Sequence, residues 1–164
     1  MSESVHVNHP FPPLYDADSR ILILGSFPSV KSREQMFFYG HPQNRFWKVV
    51  SSIYGEEVPQ TIEEKKNLLR GHNIALWDVI ASCDIEGSSD ASIKNAVAND
   101  LSVILEHADI GKIIVNGRTA EKYYREYTEK KTGRKAVCLP STSPANAAWS
   151  VERLKEAWEK ELLS

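Results

Sequence analysis

Four short apolar runs, at residues 21–24, 74–77, 113–115 and 136–139, constrain the fold of this chain more than any other feature. Each is bounded by polar residues or glycine. Continuous apolar runs of this length describe strands buried on both faces, because alternate side chains point to opposite sides and neither side meets water. Between the runs the spacing changes to that of a helix. Thr61 with Glu64 is a capping-box pair opening a helix to Arg70, and Ile93, Val97, Leu101, Ile104 and Leu105 share one face of the next. Residues 117–127 follow the third run directly, and Val151, Leu154, Trp158 and Leu162 make one stripe of a helix starting after Ser150. Strands alternating with helices predict an α/β fold, a three-layer α/β/α sandwich around a central four-stranded parallel sheet. Such sheets hold ligands beyond the carboxyl ends of their strands, so chemistry is expected in the loops leaving the runs.

The 164 residues show no repeat or linker, so one domain over residues 1–164 is expected, with Pro10, Pro12 and Pro13 marking residues 1–13 as an extended N-terminal arm. A hydrophobic fraction of 41% beside 26% charged residues is that of a globular protein. No stretch approaches the ~20 apolar residues of a membrane span. Residues 1–8 are polar and do not read as a secretory signal, so a cytoplasmic location is expected, and a monomer. Cys83 and Cys138 lie in no C-x-x-C pair and are expected as reduced core thiols. His6, His9, His41, His72 and His107 have no ligand spacing, and neither phosphate-binding glycine motif is present. Chemistry without metal or cofactor is expected.

A net charge of -2 argues against a protein that coats nucleic acid through phosphate neutralisation. Basic residues cluster locally instead, at Lys31 and Arg33, Arg45 and Lys48, Arg118 and Lys122, and Lys130, Lys131, Arg134 and Lys135. Each group also reads as an ordinary solvated face.

Three loops carry the residues suited to chemistry. Gly25, Ser26, Phe27, Pro28 and Ser29 leave the first run, offering backbone amides and hydroxyls to a phosphate or a base edge, or simply making a strand-to-helix turn. Residues 37–47 bring together aromatic faces, amides and one histidine, and such groups stack on extruded bases and read their edges. Phe46 and Trp47 read equally as core anchors, His41 as a turn cap, and Asn44 as either a helix cap or a holder of water. In residues 139–149 two prolines stiffen a segment whose Ser141, Thr142 and Ser143 suit a nucleic-acid phosphate, or a helix start.

Taken in order, the strings GSFPSVKS (25–32), YGHPQNRFW (39–47), IALWDVIASC (74–83), GSSDASIKN (87–95), VNGRTA (115–120) and LPSTSPANA (139–147) resemble the uracil-DNA glycosylase superfamily. The resemblance is closest to its hypoxanthine-DNA glycosylase branch. It implies a four-stranded parallel sheet between helices and a cleft that accepts an extruded nucleotide of DNA containing a deaminated base. It places Gly25, Phe27, Pro28, Ser29, Tyr39 and Asn116 at the base, and Ser141, Thr142, Ser143, Pro144 and Asn146 at the DNA backbone. Asp78 matches a recurring position with a supporting role. Many members carry Asp or Asn two residues after the first glycine of the first motif, where this chain has Phe27; Asn44 is then the water-holding amide, and Phe27 a stacking face.

The implied reaction is hydrolysis of the N-glycosidic bond of a deaminated base, hypoxanthine or uracil, as in base excision repair. Ser26, His41 and loop N–H groups would stabilise the departing base, Asn44 would orient the attacking water, and Phe27 or Tyr39 would stack on the base. No lysine nucleophile is required, so a free base and an intact abasic strand are expected. Two other readings stand beside this one: a nucleoside N-glycosidase using Asp78 and Asp84 at the sugar, and a non-catalytic lesion-binding module.

Overall fold

A computed structural model describes residues 3–164; Met1 and Ser2, the tip of the expected arm, lie outside the described residues. The four apolar runs are strands of one parallel sheet. β2 (Ile21–Gly25) is its hub, flanked by β3 (Ile74–Asp78) and β6 (Lys112–Asn116), and β7 (Val137–Leu139) follows β6. Every residue of β3 is buried, as are Leu22, Ile23, Leu24 and residues 113–115, so both faces of the sheet are covered. The chain steps in opposite directions from β2 to β3 and from β6 to β7, and crossovers of the usual right hand put the helices of such connections on opposite faces.

The helices follow their local signals. α1 (Val30–Gln35) is capped by Ser29, whose Oγ accepts from Ser32 N–H, and α2 (Phe46–Ile53) buries Phe46, Trp47, Val49 and Val50. The Thr61 hydroxyl accepts from Glu64 N–H at the start of α3 (Ile62–Gly71). α7 (Val151–Leu162) starts at its Ser150 cap and packs against α2, with Trp158 edge-on to Phe46 at 6.0 Å. α5 (Arg118–Tyr123) is shorter than the expected 117–127, because the chain widens into a π turn (Tyr124–Thr128) before α6 (Glu129–Thr132).

The helix expected over Ile93 to Leu105 does not form. Residues 94–98 are instead strand β5 (Lys94–Ala98), and only the last turn is helical, as α4 (Ser102–Leu105). Tertiary pairing overrides the helical spacing: β5 joins β4 (Ile80–Ile85) antiparallel, leaving Val97 exposed. Asn99 ends the strand by donating its Nδ2 to the carbonyls of Asp78 and Ile80.

This second sheet is completed by β1 (Val5–Asn8), which pairs antiparallel with β4 from Val5 opposite Ile85 to Asn8 opposite Ser82. The arm is therefore tied down. Beyond it, Leu14 exchanges backbone hydrogen bonds with Leu76 along the outer edge of β3, closing a sheet edge that would otherwise offer unpaired groups. No helix among the described residues is long and apolar enough to cross a membrane.

Candidate active site

Beyond the carboxyl ends of β2, β3 and β6 lies a cleft of about 320 Å³. The first loop is pinned beside it: Val79 and Ile80 N–H groups donate to the carbonyls of Gly25 and Ser26, at 2.8 and 3.1 Å. The N–H groups of Phe27 and Ser29 are left without partners among the described residues. Gly25 must be glycine because Asp78 lies opposite it in the strand register, and a Cβ there would collide with Asp78 Oδ1.

The cleft brings together nearly every residue singled out in the sequence. Gly25, Ser26, Phe27, Pro28, Ser29, Tyr39, His41, Asn44, Asn116, Ser141, Thr142, Ser143 and Pro144 all line it. Asn146 does not; it lines an adjoining open groove with Arg118, Arg125 and Trp149, and donates its Nδ2 to Ser141 O at 3.0 Å.

Several of these side chains are already engaged. Asn44 Oδ1 accepts from Phe46 N–H at 2.9 Å, so this amide both fastens the start of α2 and faces the cleft. His41 Nδ1 accepts from Gln43 N–H at 3.0 Å. That bond fixes the neutral ring with its proton on Nε2, leaving Nε2–H as a donor. Ser26 Oγ donates to Asp90 Oδ1 at 3.1 Å. Asn116 Nδ2 donates to Thr142 Oγ1, and Thr142 N–H donates to Asn116 Oδ1, so the amide clasps the serine-proline loop. Ser141 and Ser143 hydroxyls accept from N–H groups two residues on, at 3.1 and 3.2 Å. Arg45 completes the support, its guanidinium donating to the carbonyls of Thr142, Ser143, Asn146 and Trp149.

Among the described residues two carboxylates, Asp78 and Asp90, face this cleft. Asp78 is buried and comes from the end of β3; Asp84, the other carboxylate considered for sugar binding, does not line the cleft and pairs with His6 and Asn95. Asp90 opens a short, exposed 3-10 turn (Asp90–Ser92), yet its carboxylate is turned to the cleft, where desolvation raises its pKa against the opposing hydrogen bond from Ser26. That loop is tied to α1: Val30 N–H donates to Ser88 Oγ, and Arg33 donates to Gly87 O. Ser88 and Asp90 lie in the GSSDASIKN string, but nothing in their local pattern assigns them to the cleft. His9 was equally hidden. Its Nε2 lies 2.7 Å from Asp78 Oδ2, across 69 positions of chain. Among the described residues no group of three His, Cys, Asp or Glu side chains is arranged to hold a metal ion.

Residues 12–162 match the uracil DNA glycosylase superfamily. A relative in Methanosarcina acetivorans named hypoxanthine DNA glycosylase is 39% identical over 151 residues, covering 91% of this chain and 94% of that protein. One of the same name in Methanosarcina barkeri is 36% identical over 151 residues, with coverage of 90% and 93%. A solution NMR structure of a candidate uracil DNA glycosylase from Methanosarcina acetivorans superposes with a TM-score of 0.81 at 35% identity, covering 96% of this chain and 97% of that one. By a family match spanning nearly all of its length and by relatives similar end to end, this chain belongs to the uracil DNA glycosylase superfamily.

Proposed function

We propose that the protein is a monofunctional DNA glycosylase that hydrolyses the N-glycosidic bond of a deaminated base, hypoxanthine or uracil, in base excision repair. The observation that carries this reading is the cleft itself, where the aromatic, amide and serine-proline loops converge at the carboxyl end of the sheet. Relatives named hypoxanthine DNA glycosylase over almost the same length support it. At about 320 Å³ the cleft is at the small end of the range for ligand sites, suited to one extruded base.

The chemistry follows from the groups present. Breaking the bond builds positive charge on the sugar and negative charge on the base. His41 Nε2–H and the free N–H groups of Phe27 and Ser29 meet the base charge, with Ser26 held by Asp90 beside them. Asn44 Oδ1, with one lone pair on Phe46 N–H, keeps another for the attacking water. Phe27 supplies the stacking face, while the Tyr39 ring carries Phe46 on one of its own faces at 4.1 Å. The serine-proline loop and Arg118 beside it receive the DNA backbone. Among the described residues no lysine lines the cleft, so no Schiff base forms in this reading and the product is an abasic site in an intact strand.

The test is an oligonucleotide carrying one deoxyinosine or one deoxyuridine. Release of free base with the strand cut only after alkali treatment is expected. Binding without release, at stoichiometric protein, would replace this reading with a lesion-binding module. We further propose that the enzyme acts as a cytoplasmic monomer, a single domain.

A further inference from the structure

In the reaction above Asp90 only holds Ser26, yet its setting is more elaborate than that part requires. Residues 86–91 are exposed, and a charge on such a segment is ordinarily left in water. Here the segment is fastened so that the carboxylate points inward. Gly87, at a φ of 55°, bends the chain. Ser88 Oγ accepts from Val30 N–H at 2.9 Å, and Gly87 O accepts from Arg33 at 2.6 Å, which ties the segment to α1. Ser92 Oγ closes the segment on itself, accepting from Glu86 N–H and donating to Ser89 O. Asp90 Oδ1 then accepts from Ser26 Oγ at 3.1 Å, and a carboxylate has lone pairs for further partners.

Asp90 lines both the cleft and the adjoining groove, as do Asn116, Ser141 and Ser143. With the base in the cleft and the DNA backbone at the groove, the sugar that joins them lies along this shared wall. The charged and titratable groups around the carboxylate are Asp78 and His41 in the cleft and Arg118, Glu121 and Arg125 in the groove. Among the described residues none forms an ion pair with it. Desolvation, with the like charge of Asp78 adding to it, raises the Asp90 pKa against the hydroxyls of Ser26 and Thr119. A carboxylate so placed is short of a cation. The cation that the reaction makes forms at the sugar.

We propose that Asp90 is a catalytic carboxylate at the sugar, its charge set against C1′ as the N-glycosidic bond breaks and its remaining lone pairs taking the proton of the water that adds. The inference rests on the glycosylase reading and deepens it. The C1′–N bond breaks with its electron pair staying on the base. Water held by Asn44 forms the C1′–O bond and gives one proton to Asp90, which returns it to solvent, and the base anion takes a proton from solvent. Charge is thereby opposed where it develops, by a group fixed before the reaction starts. Ser26 and the ties to α1 are what fix it, since a carboxylate on a loose exposed turn would swing out to water.

The experiment measures binding to two DNA duplexes. One carries a pyrrolidine in place of the sugar, its ring ammonium standing for the developing cation; the other carries an uncharged tetrahydrofuran abasic site. The preference for pyrrolidine over tetrahydrofuran is expected to fall at least about tenfold from wild type to Asp90→Asn, the scale of a charge pair at contact near a protein surface. Asparagine keeps an oxygen for Ser26, and the DNA phosphates cancel in the ratio. Ser26→Ala removes the hydrogen bond but not the charge, and is expected to keep the preference. Single-turnover hypoxanthine release by Asp90→Asn is expected to fall about a hundredfold with tetrahydrofuran binding unchanged. A smaller fall in preference, an equal fall in Ser26→Ala, or release at the wild-type rate would overturn the inference, while hypoxanthine release by wild type left the glycosylase reading standing. No release by wild type would sink both. Should Asp90→Asn fail to fold, Asp90→Ser on the same exposed turn is read in the same way.

Discussion

Asn116 and Thr142 are joined by a reciprocal pair of hydrogen bonds: Asn116 Nδ2 donates to Thr142 Oγ1 at 3.0 Å, and Thr142 N–H donates to Asn116 Oδ1 at 3.1 Å. The end of β6 thereby holds the loop that follows β7. Gly117, at a φ of 96°, lets the two segments approach, since a Cβ there would stand 2.9 Å from Ser141 Cβ. Thr142 is buried, so Asn116→Ala strands both its N–H and its hydroxyl. A cost of ~1–3 kcal/mol in urea unfolding is expected. Adding Thr142→Val to Asn116→Ala should cost less than Thr142→Val alone, the mark of a shared contact.

Arg45 acts on the same loop through its backbone. One guanidinium serves the carbonyls of Thr142, Ser143, Asn146 and Trp149. Lysine has a single ammonium and cannot serve four carbonyls in this fan. Arg45→Lys should therefore loosen the loop, weakening DNA binding more than it slows base release at saturating enzyme. Faster proteolytic cutting within residues 141–149 is the direct readout.

Burial pushes the Cys83 thiol up from 9.0 to about 11, with Arg33 opposing the shift. The folded value lies above the unfolded one, so the folded state holds this proton more tightly. Its contribution to stability is complete below about pH 9 and is lost as pH rises through 11. Between these values wild type should lose stability faster than Cys83→Ala in urea titrations, and the thiol should resist alkylation at pH 8 until the protein unfolds. Parallel stability curves for the two proteins would contradict this.

The central sheet was legible because its strands are buried on both faces and so read as unbroken apolar runs, as at residues 74–77. β5 was not legible. Ile93, Val97, Leu101 and Ile104 have helical spacing, and only pairing with β4, remote in its energetic effect from local pattern, makes 94–98 a strand. The residues of the cleft were legible where whole motifs carried them, as with Asn44 and Ser141. Partners were not: His9 and Asp78, or Ser26 and Asp90, meet across more than sixty residues, and no local spacing encodes such a meeting. Asn44 and Asn116 also show that one amide can serve the fold and the cleft together, which a choice between cap and catalyst had kept apart.

In the proposed reaction this cleft releases a deaminated base with water held by Asn44. Single-turnover release of hypoxanthine from a deoxyinosine oligonucleotide, by wild type and by Asn44→Ala, tests it most directly. A loss of at least about a hundredfold in rate is expected, with DNA affinity retained and melting temperature lowered only by the lost Phe46 N–H bond. Release by Asn44→Ala at the wild-type rate would contradict it.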